Sequence, residues 1–352
     1  MEKNNMIKVG ITIGDINGVG LEVVIKALSD SNVYANSIPV IYGSTKAVSF
    51  HKKAIDQLDF NYLVIDNVSE AKPKKINLIN CWQEEVKIVM GEKNANGGNY
   101  ALKSLEAATN DLNEGKIDVL VTAPINKDCV RDAGFEFPGH TEYLANRSGS
   151  EEVLMFMVAD VLRVGVVTGH VPLKDVAALI TKEAVEGKLR LMLKSLREDF
   201  LIQKPKIAVL GLNPHAGDRG TLGDEEIEII NPVIQKIREE GELVFGCYSA
   251  DGFFGSSNLK NFDAILSMYH DQGLTGFKSI SFDEGVNFTA GLPIVRTSPD
   301  HGTAYDIAGK GIASERSFRN AYFLACDVYN NRLKYKELHE NPLQKQSVKK
   351  AE

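Results

Sequence analysis

Short apolar runs rich in β-branched residues alternate along this chain with longer segments of helical periodicity. Such alternation is typical of an α/β fold with a mostly parallel sheet, because parallel neighbours are joined through crossover helices. The runs are nearly continuous in their apolar character, which predicts strands covered on both faces. The predicted strands span residues 7–13, 39–42, 119–122, 162–168, 206–212 and 264–268.

Three segments between these strands carry apolar residues at helical spacing. Residues 99–113 stop before Gly115, and a glycine at that place favours the left-handed conformation that ends many helices. Residues 181–200 and 223–239 follow the same pattern, and the polar tail beyond about Leu333 is expected to fray.

Length and composition limit the class of protein. A chain of 352 residues is long enough for two domains, and its net charge of -7 is unlike that of a nucleic-acid-binding protein. The basic residues 345–350 are expected to form a solvated tail. No apolar run reaches membrane-spanning length and no secretory pattern opens the chain, so we expect a cytoplasmic protein with no membrane partner. Four scattered cysteines without a CxxC pair are expected to be reduced and structural.

Three histidines follow predicted or buried-looking strands at equivalent places: His170, His215 and His270. Ligands of an open parallel sheet bind outside the carboxyl ends of its strands, so these imidazoles are expected to meet at one divalent cation. Neutral imidazoles bind zinc and other first-row metals, and three of them leave positions open for a substrate. The alternative is that each histidine only caps its strand; the threefold repeat of the arrangement favours the metal site.

Other segments carry groups suited to an anion. In PGHTEYL, His140 and Thr141 stand where a helix begins, and the free N–H groups of such an end attract phosphate or carboxylate, although a simple cap explains the segment equally well. Lys278 and Arg296 lie among small and apolar residues, which favours an anionic ligand over an internal salt bridge. The polar segment 297–304 is predicted to line the same cleft.

A glycine-rich segment at residues 14–20 follows the first strand. Its spacing does not match the GxGxxG fingerprint of dinucleotide-binding folds, and no such fingerprint occurs elsewhere. The segment either approaches a ligand or only makes a tight turn. The residues that contact a dinucleotide are therefore not identified by motif.

Seven blocks, in order, resemble the family of 4-hydroxythreonine-4-phosphate dehydrogenases, enzymes of vitamin B6 biosynthesis. The similarity runs from the first strand to about Arg319, and its blocks are ITIGDINGVG, VTAPINK, GHTEYLA, TGHVPL, GLNPHAG, YHDQGL and GVNFTAGLPIVRTSPDHGTAYDIAGKG. It implies two α/β/α domains with a cleft between them, as in the isocitrate and isopropylmalate dehydrogenases. We expect residues 1–128 and 297–352 to form the first domain, and residues 129–296 to form the second, with the metal histidines and much of a dimer interface.

The resemblance also implies a reaction, namely oxidation of 4-phosphohydroxy-L-threonine at C3 by NAD or NADP, followed by decarboxylation to 3-amino-2-oxopropyl phosphate. It implies a homodimer with active sites shared between subunits, one divalent ion (zinc, magnesium or cobalt) and His270 supplied by the partner. Asp251 is a candidate carboxylate near the metal or the substrate amine, and Lys278 is expected to fix an anionic end of the substrate for hydride transfer. The residues implied to contact the metal or the substrate are His140, Thr141, His170, His215, His270, Lys278, Asn287 and Arg296.

Two alternatives stay open on the sequence. Relatives of this family also oxidise four-carbon acids such as phosphothreonate and phosphoerythronate, and the departures around Asp251 and at Pro299 affect the fit of the substrate. A zinc phosphohydrolase built on three histidines is the second alternative. The lack of an HExxH motif and of an evident nucleophile–base pair counts against it.

Overall fold

The computed structural model describes residues 6–341, which form one sheet with helices packed against it. Its strands are β1 (Ile7–Thr12), β2 (Ser37–Gly43), β3 (Leu63–Ile65), β4 (Asn77–Asn80), β5 (Val119–Thr122), β6 (Leu154–Ala159), β7 (Leu162–Thr168), β8 (Lys206–Leu210), β9 (Leu243–Tyr248), β10 (Ala264–Tyr269), β11 (Val286–Ala290) and β12 (Val295–Pro299). The helices are α1 (Gly20–Leu28), α2 (Thr45–Ala54), α3 (Ala95–Asn113), α4 (Lys127–Asp132), α5 (His140–Ser148), α6 (Leu173–Leu179), α7 (Lys182–Glu198), α8 (Asn231–Glu239), α9 (Ala250–Phe254), α10 (His270–Ile280) and α11 (Arg316–His339).

The strand order is β3-β4-β2-β1-β5-β12-β11-β6-β7-β10-β8-β9. All neighbours are parallel except three successive pairs in the middle, β12 with β11, β11 with β6, and β6 with β7. Three reversals leave β7, β10, β8 and β9 running opposite to the strands on the other side of the sheet. The expected α/β fold with a mostly parallel sheet is confirmed, with an antiparallel centre that the sequence pattern did not indicate.

Both faces of the sheet are buried, as the continuous apolar runs predicted. Val40 of β2 and Leu120 of β5 belong to one apolar cluster, while the next residues, Ile41 and Val121, belong to another. Because successive side chains of a strand point to opposite faces, each cluster covers one face of the sheet.

The six predicted strands correspond to β1, β2, β5, β7, β8 and β10, and the three helices to α3, α7 and α8. The segment predicted as one helix at 223–239 is divided, because a π-helical turn at Glu226–Ile230 precedes α8. The tail was expected to fray beyond about Leu333. That expectation is wrong for the residues up to His339, because α11 continues to that residue. The basic segment 345–350 lies outside the described residues.

The strands of residues 1–128 fill one side of the sheet, and β6 to β11, all within residues 129–296, fill the other. The domain boundaries proposed from the sequence stay a prediction, and residues 342–352 of the first domain lie outside the described range. All four cysteines are free, as expected. Among residues 6–341, no helix combines the length and the apolar character needed to cross a membrane.

Candidate active site

A cavity of about 590 Å³ lies against the central strands. Side chains of β6, β7, β11 and β12 line it, and so do the loops after β5, β7 and β12 and the start of α5. The cavity therefore sits where the two halves of the sheet meet. The segment predicted to line a cleft, 297–304, contributes residues 298–302, which confirms that expectation in part.

Arg296 of β12 is the buried cation of this cavity, with 3% of its surface exposed. Its Nε and Nη2 atoms donate to Thr122 Oγ1 at 3.0 and 2.7 Å, and Nη1 donates to Thr289 Oγ1 at 3.3 Å. Among residues 6–341 no carboxylate forms an ion pair with it. Burial lowers the pKa of Arg296 to about 10, so it remains charged at neutral pH. A buried cation held only by neutral groups attracts an anionic ligand.

His140, the first residue of α5, lies beside this guanidinium. Arg296 Nη2 is 3.2 Å from His140 Nδ1, and a guanidinium can only donate, so Nδ1 accepts and the hydrogen of the neutral ring is on Nε2. Burial lowers the pKa of His140 well below its usual value, and the positive charges of Arg296 and Lys127 lower it further. His140 Nε2 is buried without a partner in the described chain, which leaves one N–H group for an oxygen of a ligand.

Two acceptors of the cavity are also without partners in the described chain, Asn287 Oδ1 and His301 Nε2. His301 Nδ1 lies 3.0 Å from the carbonyl oxygen of Gly302, so it donates and leaves Nε2 as the acceptor of a neutral ring. Burial lowers the pKa of His301, which favours that neutral form. Thr141, another cavity residue, has its hydroxyl 3.4 Å from that of Thr289. The cavity thus offers acceptors for a hydroxyl or an ammonium group.

Lys278 of α10 does not line this cavity but reaches it through Asp300. Its Nζ atom lies 3.1 Å from Asp300 Oδ1 and donates to the Asp300 carbonyl at 3.3 Å. Burial raises the pKa of Asp300, against the opposing effect of Lys278. The internal salt bridge that the sequence left as an alternative for Lys278 is present. A contact between Lys278 and substrate stays a prediction.

The three candidate metal ligands follow adjacent parallel strands, because β10 pairs with β7 on one side and β8 on the other. The rings of His170 and His270 are 5.3 Å apart, and His270 Nδ1 lies 2.7 Å from Asp271 Oδ1. A carboxylate that holds Nδ1–H leaves Nε2 free to bind a metal. Burial lowers the pKa of His170, which favours its neutral, ligating form. His270 was expected from a partner subunit, but it already lies beside His170 in its own chain.

His215 lies apart from that pair, in an exposed turn after β8. Five successive residues, 215–219, have left-handed dihedrals, with φ of 54° at His215 and 52° at Ala216. Among the described residues no three His, Cys, Asp or Glu side chains converge as a metal site within one chain. The role of His215 as the third ligand stays a prediction.

Asp251, the candidate catalytic carboxylate, is exposed at the start of α9 and does not line the cavity. A hydrogen bond from the Ser249 hydroxyl holds its pKa below the usual value, and the charge of His215 acts in the same direction. The helix α9, which carries Asp251, packs against the turn that carries His215 and does not line the cavity of Arg296. Its catalytic role stays a prediction.

The glycine-rich segment is a buried turn that does not line the cavity. Gly14 has φ of 64°, and Asp15 donates its N–H to the carbonyl of Pro124 at 2.9 Å. The buried carboxylate of Asp15 accepts from the Tyr305 hydroxyl at 2.6 Å. These bonds tie the loop after β1 to those after β5 and β12, so of the two alternatives the structure supports the tight turn.

The sequence did not single out three charged residues of the cavity: Lys127, Glu142 and Lys188. Lys127 and Glu142 lie in blocks that carry the family resemblance, whereas Lys188 lies outside them. Asp300 and His301 were indicated only as part of the polar segment 297–304. These side chains meet because α4, α5, α7 and the loop after β12 pack against the same strands.

Comparisons with known proteins agree on one family. A family model described as pyridoxal phosphate biosynthetic protein PdxA matches residues 35–325. A 4-hydroxythreonine-4-phosphate dehydrogenase of Bacteroides thetaiotaomicron is 49% identical over 351 residues, covering 99% of this chain and 96% of the relative. A solved enzyme of that name from Klebsiella pneumoniae is 32% identical, with a TM-score of 0.77 and coverage of 92% and 98% of the two chains. A protein of Oceanobacillus iheyensis, provisionally named D-threonate 4-phosphate dehydrogenase, is 39% identical over 91% of this chain and 97% of its own.

Proposed function

This chain belongs to the PdxA family of pyridoxal phosphate biosynthetic proteins, and from that premise we propose that it is a 4-hydroxythreonine-4-phosphate dehydrogenase. It is an oxidoreductase that uses NAD or NADP as the hydride acceptor. Its substrate is 4-phosphohydroxy-L-threonine, oxidised at the C3 hydroxyl and then decarboxylated to 3-amino-2-oxopropyl phosphate.

The observation that carries this proposal is the buried cation of the cavity. The Arg296 guanidinium has neutral hydrogen-bond partners and no acidic partner among residues 6–341, and His140 beside it presents an unused Nε2–H group. An oxyanion of the substrate would satisfy both, because charge-assisted bonds to a desolvated guanidinium are among the strongest available. Asn287 Oδ1 and His301 Nε2 would accept from the hydroxyl or ammonium groups of the same molecule.

Hydrogen bonds to several groups of the substrate would orient C3 for hydride transfer, and such positioning supplies a large part of the rate of two-substrate reactions. Lys278 holds the Asp300 carboxylate at the edge of the cavity. Burial raises the pKa of Asp300, which makes this carboxyl a candidate to exchange a proton with a substrate group. We infer that this pair acts as a unit, in which Lys278 keeps Asp300 charged and in place.

We also propose a divalent ion held by His170 and His270, with His215 as the third ligand. Two imidazoles that bind one ion through nitrogens at about 2.0–2.1 Å have ring centres about 5 Å apart, and the observed 5.3 Å fits such a pair. The contact between His270 and Asp271 also fits. When bound, a divalent ion stabilises the alkoxide of the C3 hydroxyl and polarises the ketone that replaces it.

Because His215 does not converge with His170 and His270 among the described residues of one chain, we propose a homodimer whose sites draw ligands from both subunits. Large apolar side chains are exposed on the segments that follow His170 and His270, with Leu173 of α6 73% exposed and Phe282, after α10, 81% exposed. We expect a second subunit to cover such residues if they belong to a continuous patch. If a site draws residues from both subunits, a mixture of inactive His215→Ala and Arg296→Met variants, dissociated and reassembled, regains part of the activity. A stable monomer with full activity would contradict the dimer proposal.

The decisive test is an assay of the metal-loaded protein with 4-phosphohydroxy-L-threonine and NAD or NADP. We expect NADH or NADPH to form, to stop forming after chelation of the metal, and to resume when the metal is returned. His215→Ala is expected to lose metal and activity while remaining folded. Because one relative is named for D-threonate 4-phosphate, that compound is assayed in parallel. A preference for it above about tenfold in kcat/KM would replace the proposed substrate, and phosphate release without cofactor reduction would instead indicate a hydrolase.

A further inference from the structure

We propose that Lys127 is a second anion-binding cation of the cavity and holds an oxyanion of the substrate, phosphate or carboxylate, together with Arg296 and His140. This inference rests on the proposed function, since it concerns the same substrate site. It assigns a role to a residue that neither the strand pattern nor the histidine arrangement indicated.

The start of α4 places Lys127 at the mouth of the cavity. The side chain of Asn126 accepts from the N–H groups of Asp128 and Cys129, both at 3.1 Å, and this cap fixes the first turn of the helix. Lys127 Cε lies 3.9 Å, and Glu142 Oε2 3.3 Å, from the point where a Cβ of Gly139 would stand. The lysine stem therefore passes beside the residue that precedes His140.

The ammonium of Lys127 has no partner within residues 6–341, unlike other cations nearby. Lys188, which also lines the cavity, donates to the Val153 carbonyl at 2.6 Å. Arg131, on the same short helix, pairs with Asp128 at 2.9 Å on the exposed surface. Lys278 is paired with Asp300. Lys127 is exposed as well, but it lines the cavity, so its unpaired hydrogen-bond donors are available to a ligand there.

Two cations act on His140 from different segments. Arg296 contacts its Nδ1 atom, and Lys127 passes beside the preceding Gly139; both lower the pKa of the imidazole. Glu142 is the acid that acts on Arg296 through space, and within residues 6–341 it forms no ion pair with Lys127. An oxyanion beside His140 would be attracted by both cations.

The test compares Lys127→Met and Lys127→Arg with the wild-type protein, with Arg131→Met as the matched control on the same helix. Loss of one charge-assisted bond should raise KM for 4-phosphohydroxy-L-threonine about 10- to 100-fold in Lys127→Met, with a smaller change in kcat. Lys127→Arg should recover most of the affinity, because it restores the charge and the donors. Arg131→Met should leave KM unchanged, and equal thermal unfolding would show that all variants are folded.

Inorganic phosphate is the probe that separates the two kinds of oxyanion. If Lys127 holds the phosphate end, calorimetry will show weaker binding of inorganic phosphate to Lys127→Met; if it holds the carboxylate, KM rises while phosphate affinity is unchanged. Both results support the proposal. Unchanged KM and unchanged phosphate affinity would overturn it. If the wild-type protein binds phosphate but does not oxidise this substrate, the proposed function is refuted. In that case, loss of phosphate affinity in Lys127→Met would still support Lys127 as an anion-binding residue.

Discussion

The turn that carries His215 is held by a buried carboxylate, and removing it should release the turn. Glu226 is 2% exposed, and accepts from the backbone N and the side-chain Nδ2 of Asn213 at 2.7 and 3.0 Å. Gly217, in the middle of the turn, packs so closely on this carboxylate that a Cβ there would lie 2.6 Å from Glu226 Oε2. The perturbation we choose is Glu226→Ala.

The magnitudes follow from the dihedrals and the hydrogen bonds. Four residues of the turn other than glycine are left-handed, and at about 1–2 kcal/mol each they store about 4–8 kcal/mol. Two hydrogen bonds to a charged group contribute about 1.5–3 kcal/mol each, or about 3–6 kcal/mol together. Because the two amounts are similar, removing the carboxylate should shift the equilibrium towards the open turn, although Asn213 Nδ2 also donates to Glu225 at 2.7 Å.

Limited digestion with trypsin measures the opening of this turn, because Arg219 lies within it and is exposed. A loss of about 3 kcal/mol in the free energy of opening raises the open population, and hence cleavage after Arg219, about 100-fold. Hydrogen exchange of residues 215–222 should accelerate in parallel. Glu228→Ala is the matched control, an exposed glutamate on the same π-helical turn. If Glu226→Ala lowers global stability but leaves cleavage and exchange of the turn unchanged, the reasoning is refuted.

Two further predictions concern stability. Gly14→Ala should destabilise the protein by several kcal/mol in urea unfolding, because the added Cβ would lie 2.2 Å from the carbonyl oxygen of Pro124. Gly134→Ala is the control, since Gly134 also has a positive φ but faces open space, and it should cost only about 1 kcal/mol. Equal losses of stability in the two variants would exclude the clash as the cause. His51 is buried and its pKa is lowered to about 4, so its unfolded form binds the proton more tightly. Stability should therefore be full above pH 6.5 and fall as the pH drops towards 4, by about 3 kcal/mol for this group. His51 Nε2 lies 2.8 Å from the Ile16 carbonyl oxygen. The variant His51→Gln keeps a hydrogen-bond donor there but does not titrate, so its stability should depend less steeply on pH. An unchanged pH dependence of stability would assign the effect to other groups.

Local pattern was sufficient for the elements that are covered on both faces. Strands such as β5 and β7 were predicted with their observed bounds, because nearly every residue in them is apolar and buried. β11 and β12 were not predicted, since Asn287 and Arg296 interrupt their apolar character. Those polar residues face the cavity, so the positions that weakened the strand signal are the ones that form the site.

The residues of the cavity, like the strands, were only partly predictable from the sequence. The sequence identified Arg296, His140, Thr141 and Asn287 as substrate-site candidates, and all four line one cavity. It did not indicate that Lys278 pairs with Asp300, since the partners are 22 residues apart and lie on α10 and after β12.

What the sequence by itself determined is the α/β class, the bounds of its most buried strands and the family, because periodicity, caps and motifs are properties of contiguous residues. Only the tertiary structure decided the antiparallel centre of the sheet and the proximity of His170 to His270, with no third ligand-type side chain converging on them among the described residues of one chain. Strand order and the distance between side chains depend on how distant segments pack against one another. That packing minimises exposed apolar surface over the whole chain, and no local stretch of residues encodes it.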